Sequence, residues 1–229
     1  KEFLDNPEEI SSNGKDIKTL ADIKVNEIII ENLSPTKYQI ISEESINKKS
    51  EKIRWIVDPI DGTLNFSINF PYSSISISLW VEDEPFISIV KNIFSSDCFI
   101  FSKGNLSTLN GNIIKTSDKS SVEKSIIATG FPSNSNITEK NLKRLINNIQ
   151  KFKKVRAIGS ASLMLAYVAS GIFDAYFEDE IYIWDVAAGL GLVKGSGGKF
   201  FIERYKNSDK CKVFASNPLI YDEAKLIFK

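Results

Sequence analysis

Apolar positions along this chain change their period several times, and each change predicts an element. From Asp22 a helix is expected, with Ala21, Val25, Ile28, Ile29 and Leu33 recurring on one face and Pro35 following its end. Tyr38–Ser42 reads as a short strand that stops at Glu43-Glu44. Ile53–Val57 is a second, largely apolar strand that ends at Asp58. Tyr72–Val81 alternates, with Ile75, Ile77 and Leu79 pointing one way and Ser74, Ser76 and Ser78 the other. Pro85–Phe94 and Cys98–Ser102 continue the strand-rich pattern, and the Asn110-Gly111-Asn112 turn precedes a short strand at Ile113–Lys115. Ahead of all these, residues 1–16 are polar and turn-rich, with Ser11-Ser12-Asn13-Gly14 as the bend.

The polar run Ser117–Ser121 separates this strand-rich part from one where strands and helices alternate. The expected division is residues 1–118, an α+β half, and residues 119–229, an α/β half. In the second half Ile126–Thr129 predicts a strand and Thr138–Phe152 an amphipathic helix. Ser160–Ser170 is an apolar helix closed by Gly171, and Ile172–Phe177 is a strand. Asp185 opens a helix that ends among Gly195, Gly197 and Gly198. Lys199–Ile202 and Val213–Ala215 are expected strands, and Pro218–Phe228 a helix with proline in its first turn.

Composition narrows the chemistry. There is no histidine among the 229 residues, so Ser-His-Asp triads, Cys-His pairs and imidazole-ligated zinc are excluded. Acid–base work falls to carboxylates, hydroxyls, lysines or water on a metal. The two cysteines, Cys98 and Cys211, stand far apart in no metal-ligand spacing, which fits buried thiols in the cytoplasm. Zero formal net charge gives no global field for nucleic acid or an anionic membrane. No apolar run approaches the roughly 18 residues of a membrane span.

The chemistry concentrates in Trp55-Ile56-Val57-Asp58-Pro59-Ile60-Asp61-Gly62-Thr63-Leu64-Asn65-Phe66. An apolar strand delivers Asp58 and Asp61 to one irregular stretch, where both carboxylates and the Ile60 carbonyl can gather a hard cation such as Mg²⁺. Gly62-Thr63 then opens a helix, whose first amides suit an anion. Glu43-Glu44 lies one strand away, and since neighbouring strand residues face opposite sides, at most one of the pair enters a shared site. Trp184-Asp185-Val186-Ala187-Ala188-Gly189 sets a further aspartate at a helix start, where an N-cap is the commoner role. Asp22, in Thr19-Leu20-Ala21-Asp22, is by itself another cap.

Taken in order, these elements resemble the inositol monophosphatase family of Mg²⁺-dependent, lithium-sensitive phosphatases. The matching residues are Thr19 to Asp22, Glu43-Glu44-Ser45, Trp55 to Phe66, Phe70-Pro71, Arg156 to Ser160, Trp184 to Gly189 and Gly197-Gly198. The resemblance implies an α/β (α+β) fold of the sugar-phosphatase type, a layered α-β-α-β-α sandwich. It implies two or three Mg²⁺ ions: one on Glu43, Asp58 and the Ile60 carbonyl, another on Asp58, Asp61 and Asp185, with Glu43 assisting a third. Thr63, linked to Asp22, would take or orient the proton of the attacking water, and the Gly62 and Thr63 amides would hold phosphate. Asp61, Ser160 and Glu178 would line the polyol side, where the acidity of Asp179 and Glu180 suits a neutral polyol.

The expected substrate is inositol monophosphate or a similar small polyol phosphate ester. Fructose 1,6-bisphosphate, 3′-phosphoadenosine 5′-phosphate or histidinol phosphate are the alternatives. A regulatory binding protein on the same fold is the alternative of another class. The resemblance also implies a homodimer. Two departures stand out: a lysine expected shortly before Asp16 is Ser11 here, with Lys15 displaced, and Lys1 falls near the end of the family's usual first helix.

Overall fold

In a computed structural model, residues 9–13, 16–44, 51–131 and 138–228 are described. Lys1, Gly14, Lys15 and Ser45 lie outside them. Where the sequence suggests only a polar bend, Glu9–Asn13 (β1) and Asp16–Thr19 (β2) pair antiparallel, with Asn13 opposite Asp16. So few apolar residues mark these strands that alternation could not reveal them. Helix α1 spans Leu20–Leu33, starting two residues before Asp22 because the Thr19 N–H and hydroxyl both donate to the Asp22 carboxylate. Ile28, which helical spacing puts on the apolar face, is 61% exposed. Asn26 is buried instead and accepts from Ser42 Oγ at 2.6 Å.

Gln39–Ser42 (β3) runs parallel to Ile53–Asp61 (β4). The latter does not stop at Asp58: it continues through Pro59, with an irregularity in its pairing between Asp58 and Asp61. A single helical turn, Thr63–Ser67 (α2), follows. Ser74–Val81 (β5), Glu84–Asn92 (β6), Cys98–Ser102 (β7), Thr108–Leu109 (β8) and Asn112–Ile113 (β9) then complete a seven-stranded sheet in chain order from β3 to β9. One face packs Trp55, Val57 and Leu79 against Ile29 of α1. The serine face of β5 is equally buried, with Ser74, Ser76 and Ser78 all at 0% exposure.

The second sheet is built from Ile126–Thr129 (β10), then Glu139–Ile149 (α3), Lys154–Arg156 (β11), Ala161–Ala169 (α4), Ala175–Tyr182 (β12), Ile183–Gly195 (α5), Lys199–Arg204 (β13), Lys210–Ser216 (β14) and Tyr221–Phe228 (α6). Its order is β11-β10-β12-β14-β13, with β10 parallel to both neighbours and the other pairs antiparallel. Strand β12 starts later than expected and runs past Glu178 to Tyr182, over a pairing irregularity between Glu178 and Ile181. Helix α6 begins beyond Pro218: Asn217 Oδ1 accepts from the Leu219 and Ile220 amides, at 2.9 and 3.1 Å, and forms a turn first.

Helices α4 and α5 lie between the sheets. Leu163, Leu165, Leu190 and Val193 pack with Ile56, Trp80 and Val90 on one side and with Ala128, Tyr176 and Val213 on the other. Leu145, Ile149, Ala224 and Phe228 of α3 and α6 cover the outer face over Ile127, Phe177 and Phe214. The result is the expected α-β-α-β-α layering. Small residues make the middle layer thin enough: a Cβ on Gly191 would stand 2.1 Å from Ser88 Oγ. Among the described residues, no helix is long and apolar enough to cross a membrane.

Candidate active site

The end of β4, the start of α4, the middle of β12 and the first turn of α5 open on one cavity of about 310 Å³. Glu43, Asp58, Ile60, Asp61, Gly62, Thr63, Ser160, Glu178 and Asp185 all line it. Asp22 lies behind Thr63 and reaches the cavity only through it. Asp185 sits inside the first turn of α5, third in the helix, and is not its cap; Tyr182 holds that position. Its carboxylate is turned instead into hydrogen-bond contact with Asp58.

Asp58 is 2% exposed and accepts from the Ile60 amide at 3.0 Å, a short loop of chain made where the β4 pairing slips. Burial first, then the neighbouring Glu43, Asp61, Asp185 and Asp22, push its pKa well above the ordinary carboxylate range. Asp185, half-buried, is pushed up in the same way, by burial first and then by Asp61, Glu43 and Glu178. Asp61 is raised by burial, but donors from Ser160, Ala161 and Ser162 counter the shift. Glu43, exposed at the turn after β3, completes the ring from the outside. Glu44 does not line the cavity and pairs with Lys18.

No three acidic side chains among the described residues close into a finished cage for one ion. What the fold supplies is a hard-oxygen donor set: two carboxylates in contact, two more near enough to repel them, and a carbonyl at Ile60. A divalent cation relieves that repulsion and suits those oxygens, so the residues fit the group. The Ile60 carbonyl lies 3.0 Å from Thr63 Oγ1, and Asp22 Oδ1 lies 3.2 Å from the same hydroxyl. One proton is thus offered two acceptors. Burial raises the pKa of Asp22 against the pull of its Thr19 and Thr63 hydrogen bonds, which makes it a better proton acceptor than an exposed aspartate.

Gly62 holds this corner together. Its φ is +85°, and a Cβ there would meet the Gly159 carbonyl oxygen at 2.8 Å and that of Tyr72 at 3.0 Å. Asn65 Nδ2 ties the same segments by donating to the Tyr72 and Ile158 carbonyls, both at 2.7 Å.

On the opposite wall Glu178 accepts from Tyr176 Oη at 2.8 Å and from the Gly130 amide. Burial raises its pKa to about 7, with the Asp61 charge adding to the rise and those two donors opposing it. A folded pKa above the unfolded one means the native state holds the extra proton. The resulting cost is absent below pH 4.5 and complete above about pH 7. In metal-free protein, Glu178→Gln is therefore expected to lose about 5–10 °C less in thermal midpoint than wild type between pH 5 and pH 8, measured by calorimetry.

Beyond Glu178 the chain departs from a simple acidic wall. Asp179 turns away and accepts from the Tyr205 hydroxyl. Glu180, in the left-handed region at φ 57°, re-aims the strand so that its side chain meets Lys210 Nζ at 3.9 Å. Lys210 also lies 5.3 Å above the Tyr182 ring and lines the cavity. Lys210 escapes a reading of the sequence because its place depends on the β12–β14 register, which sets it opposite Tyr182.

The chain matches the model of the inositol monophosphatase family over residues 2–220. It is 34% identical over 204 residues to an inositol-1-monophosphatase of Synechocystis, covering 83% of this chain and 69% of that protein. To a fructose-1,6-bisphosphatase/inositol-1-monophosphatase of Thermotoga maritima it is 32% identical, covering 91% and 81%. A Nus factor SuhB of Xylella fastidiosa is 34% identical over 79% of this chain, which spans 66% of that protein. Among solved structures, the inositol monophosphatase of Anabaena superposes with a TM-score of 0.83 at 30% identity, covering 90% of this chain and 85% of that one.

Proposed function

Because the chain belongs to the inositol monophosphatase family, we propose that it hydrolyses a small polyol monophosphate in a reaction that depends on Mg²⁺. The carrying observation is the meeting of Asp58, Asp61, Asp185 and Glu43 beside the Thr63–Asp22 pair. Glu43, Asp58 and the Ile60 carbonyl would hold one cation, and Asp58, Asp61 and Asp185 a second, with Glu43 assisting a third. Bound there, the cations supply positive charge to phosphate oxygens and acidify water.

The protein's own groups do the rest. Thr63 Oγ1 takes the proton of the attacking water as its own passes toward Asp22 Oδ1, whose raised pKa favours the transfer. The Gly62 and Thr63 amides, at the start of a helical turn, face the phosphate oxygens. Glu178 accepts from a polyol hydroxyl, and the Glu180–Lys210 pair offers an acceptor and a donor farther out. A paired wall of this kind suits hydroxyl groups better than a second phosphate, which would have to displace Glu180 from Lys210. Cytoplasmic residence and a homodimer belong to the same proposal.

Phosphate release from inositol 1-phosphate, fructose 1,6-bisphosphate, 3′-phosphoadenosine 5′-phosphate and histidinol phosphate tests this reading, each with Mg²⁺, with chelator and with Li⁺. The expected result is Mg²⁺-dependent, Li⁺-suppressed turnover greatest on the polyol monophosphate. A preference for a bisphosphate overturns the substrate class, and folded protein that releases no phosphate favours a binding role.

A further inference from the structure

Asp61 is held by an unusual number of donors for a carboxylate expected at a cation. Its Oδ2 accepts from Ser160 Oγ at 2.7 Å, from the Ser162 amide at 2.7 Å and from Ser162 Oγ at 2.6 Å. Its Oδ1 accepts only from the Ala161 amide, at 3.1 Å, among the hydrogen bonds of the described residues. Behind these, Ser74 Oγ lies 2.6 Å from Ser162 Oγ and 3.3 Å from Ser160 Oγ. The serines behind it are shut from water, with Ser74 and Ser162 at 0% exposure and Ser160 at 1%, while Asp61 keeps 6% toward the cavity.

The direction of the hydroxyl protons follows from the acceptor at the end. An ionised carboxylate has no proton to give, so Ser162 and Ser160 must each donate to Oδ2. Each hydroxyl then has only lone pairs left for Ser74, whose single proton goes to the nearer one, Ser162 Oγ at 2.6 Å. The chain therefore runs one way, from Ser74 on β5 through Ser162 on α4 to Asp61 at the end of β4. Hydrogen bonds aligned like this polarise one another. With three donors Oδ2 is saturated, and the remaining lone-pair capacity of Asp61 is on Oδ1.

We propose that Ser74 and Ser162 are positioning residues for Asp61. They fix its carboxylate by Oδ2 so that Oδ1 is presented, in one orientation, as the oxygen available to a cation. The proposal rests on the reading of Asp61 as a cation ligand given above, and goes beyond it by assigning what sets that ligand's orientation. Partners of this outer kind are worth about 10–100-fold in metal affinity.

The test is Mn²⁺ binding to metal-stripped protein without substrate, read as free Mn²⁺ by electron paramagnetic resonance. Wild type, Ser162→Ala, Ser74→Ala and the double variant are compared, with the Mg²⁺ activation constant measured in parallel. Ser162→Ala should weaken Mn²⁺ binding by about 10-fold and raise the activation constant by the same factor. Ser74→Ala should show a smaller loss, and the double variant should be no worse than Ser162→Ala, since Ser74 acts through Ser162. Should Ser162→Ala fail to fold, Ser74→Ala carries the test by itself. Variants that melt earlier yet bind Mn²⁺ like wild type overturn the positioning role, as do losses that simply add. Wild type that binds no Mn²⁺ overturns instead the ligand reading on which the proposal stands.

Discussion

Asp58→Asn should reduce Mg²⁺-dependent phosphate release by about 100-fold or more, since even outer partners of metal ligands are worth 10–100-fold and Asp58 would touch both cations. The same substitution should leave the metal-free protein at least as stable as wild type. Asp58 is 2% exposed and is pushed toward its neutral form by burial and by four acidic neighbours. The raised folded pKa means that wild type carries a cost which is absent at low pH and grows as pH rises through that pKa. An amide removes the ionisation while its oxygen can still accept from the Ile60 amide. The thermal midpoint of the metal-free variant should therefore match wild type near pH 4 and exceed it near pH 8, by about 2–4 °C for each kcal/mol recovered. An inactive variant that also melts earlier at pH 8 would show that Asp58 serves packing and not cation binding.

Divalent cation should do for wild type what the amide does, and more. A ligand at 100 times its dissociation constant stabilises the native state by about 2.7 kcal/mol, which for a chain of this size is about 5–11 °C. Mg²⁺ added to metal-stripped protein at pH 7.5 should produce a rise of that order, and chelator should reverse it. Sodium chloride at equal ionic strength should not, because acids shielded from solvent are poorly screened. Asp58→Asn and Asp185→Asn should lose the rise. Glu43→Gln should keep part of it, since Glu43 faces the solvent at the cavity's edge. Calorimetric scans of the four proteins make the comparison.

The site divides into a part the sequence displays and a part it hides. Asp58, Asp61, Gly62 and Thr63 share six consecutive residues, so their grouping is local and the strand before them gives it away. Asp185 is legible as an acid at a helix start, but its orientation is not. Local rules offer the cap position, whereas packing of Trp184 and the Asp58 contact put it inside the first turn. The donors to Asp61 come from residues 99 to 101 positions away, where no periodicity connects them. Glu178 looks like the end of a strand because two more acidic residues, Asp179 and Glu180, follow it. Only the left-handed turn at Glu180 and pairing with β14 show the strand continuing and bring Lys210 to the cavity. Elements with a sustained pattern, such as Cys98–Ser102 and Ile126–Thr129, were readable to the residue. The β1–β2 hairpin and β11 were not, for want of apolar residues to mark them.

The proposed chemistry requires acids from three separate stretches of chain to share a divalent cation. Crystals of metal-stripped protein soaked in Mn²⁺ and measured for anomalous scattering test this most directly. The expected result is a strong peak between the Asp58 and Asp185 carboxylates, about 2 Å from their oxygens, that disappears in Asp58→Asn. Mn²⁺ scattered over surface carboxylates, with no peak in the cavity, would contradict it.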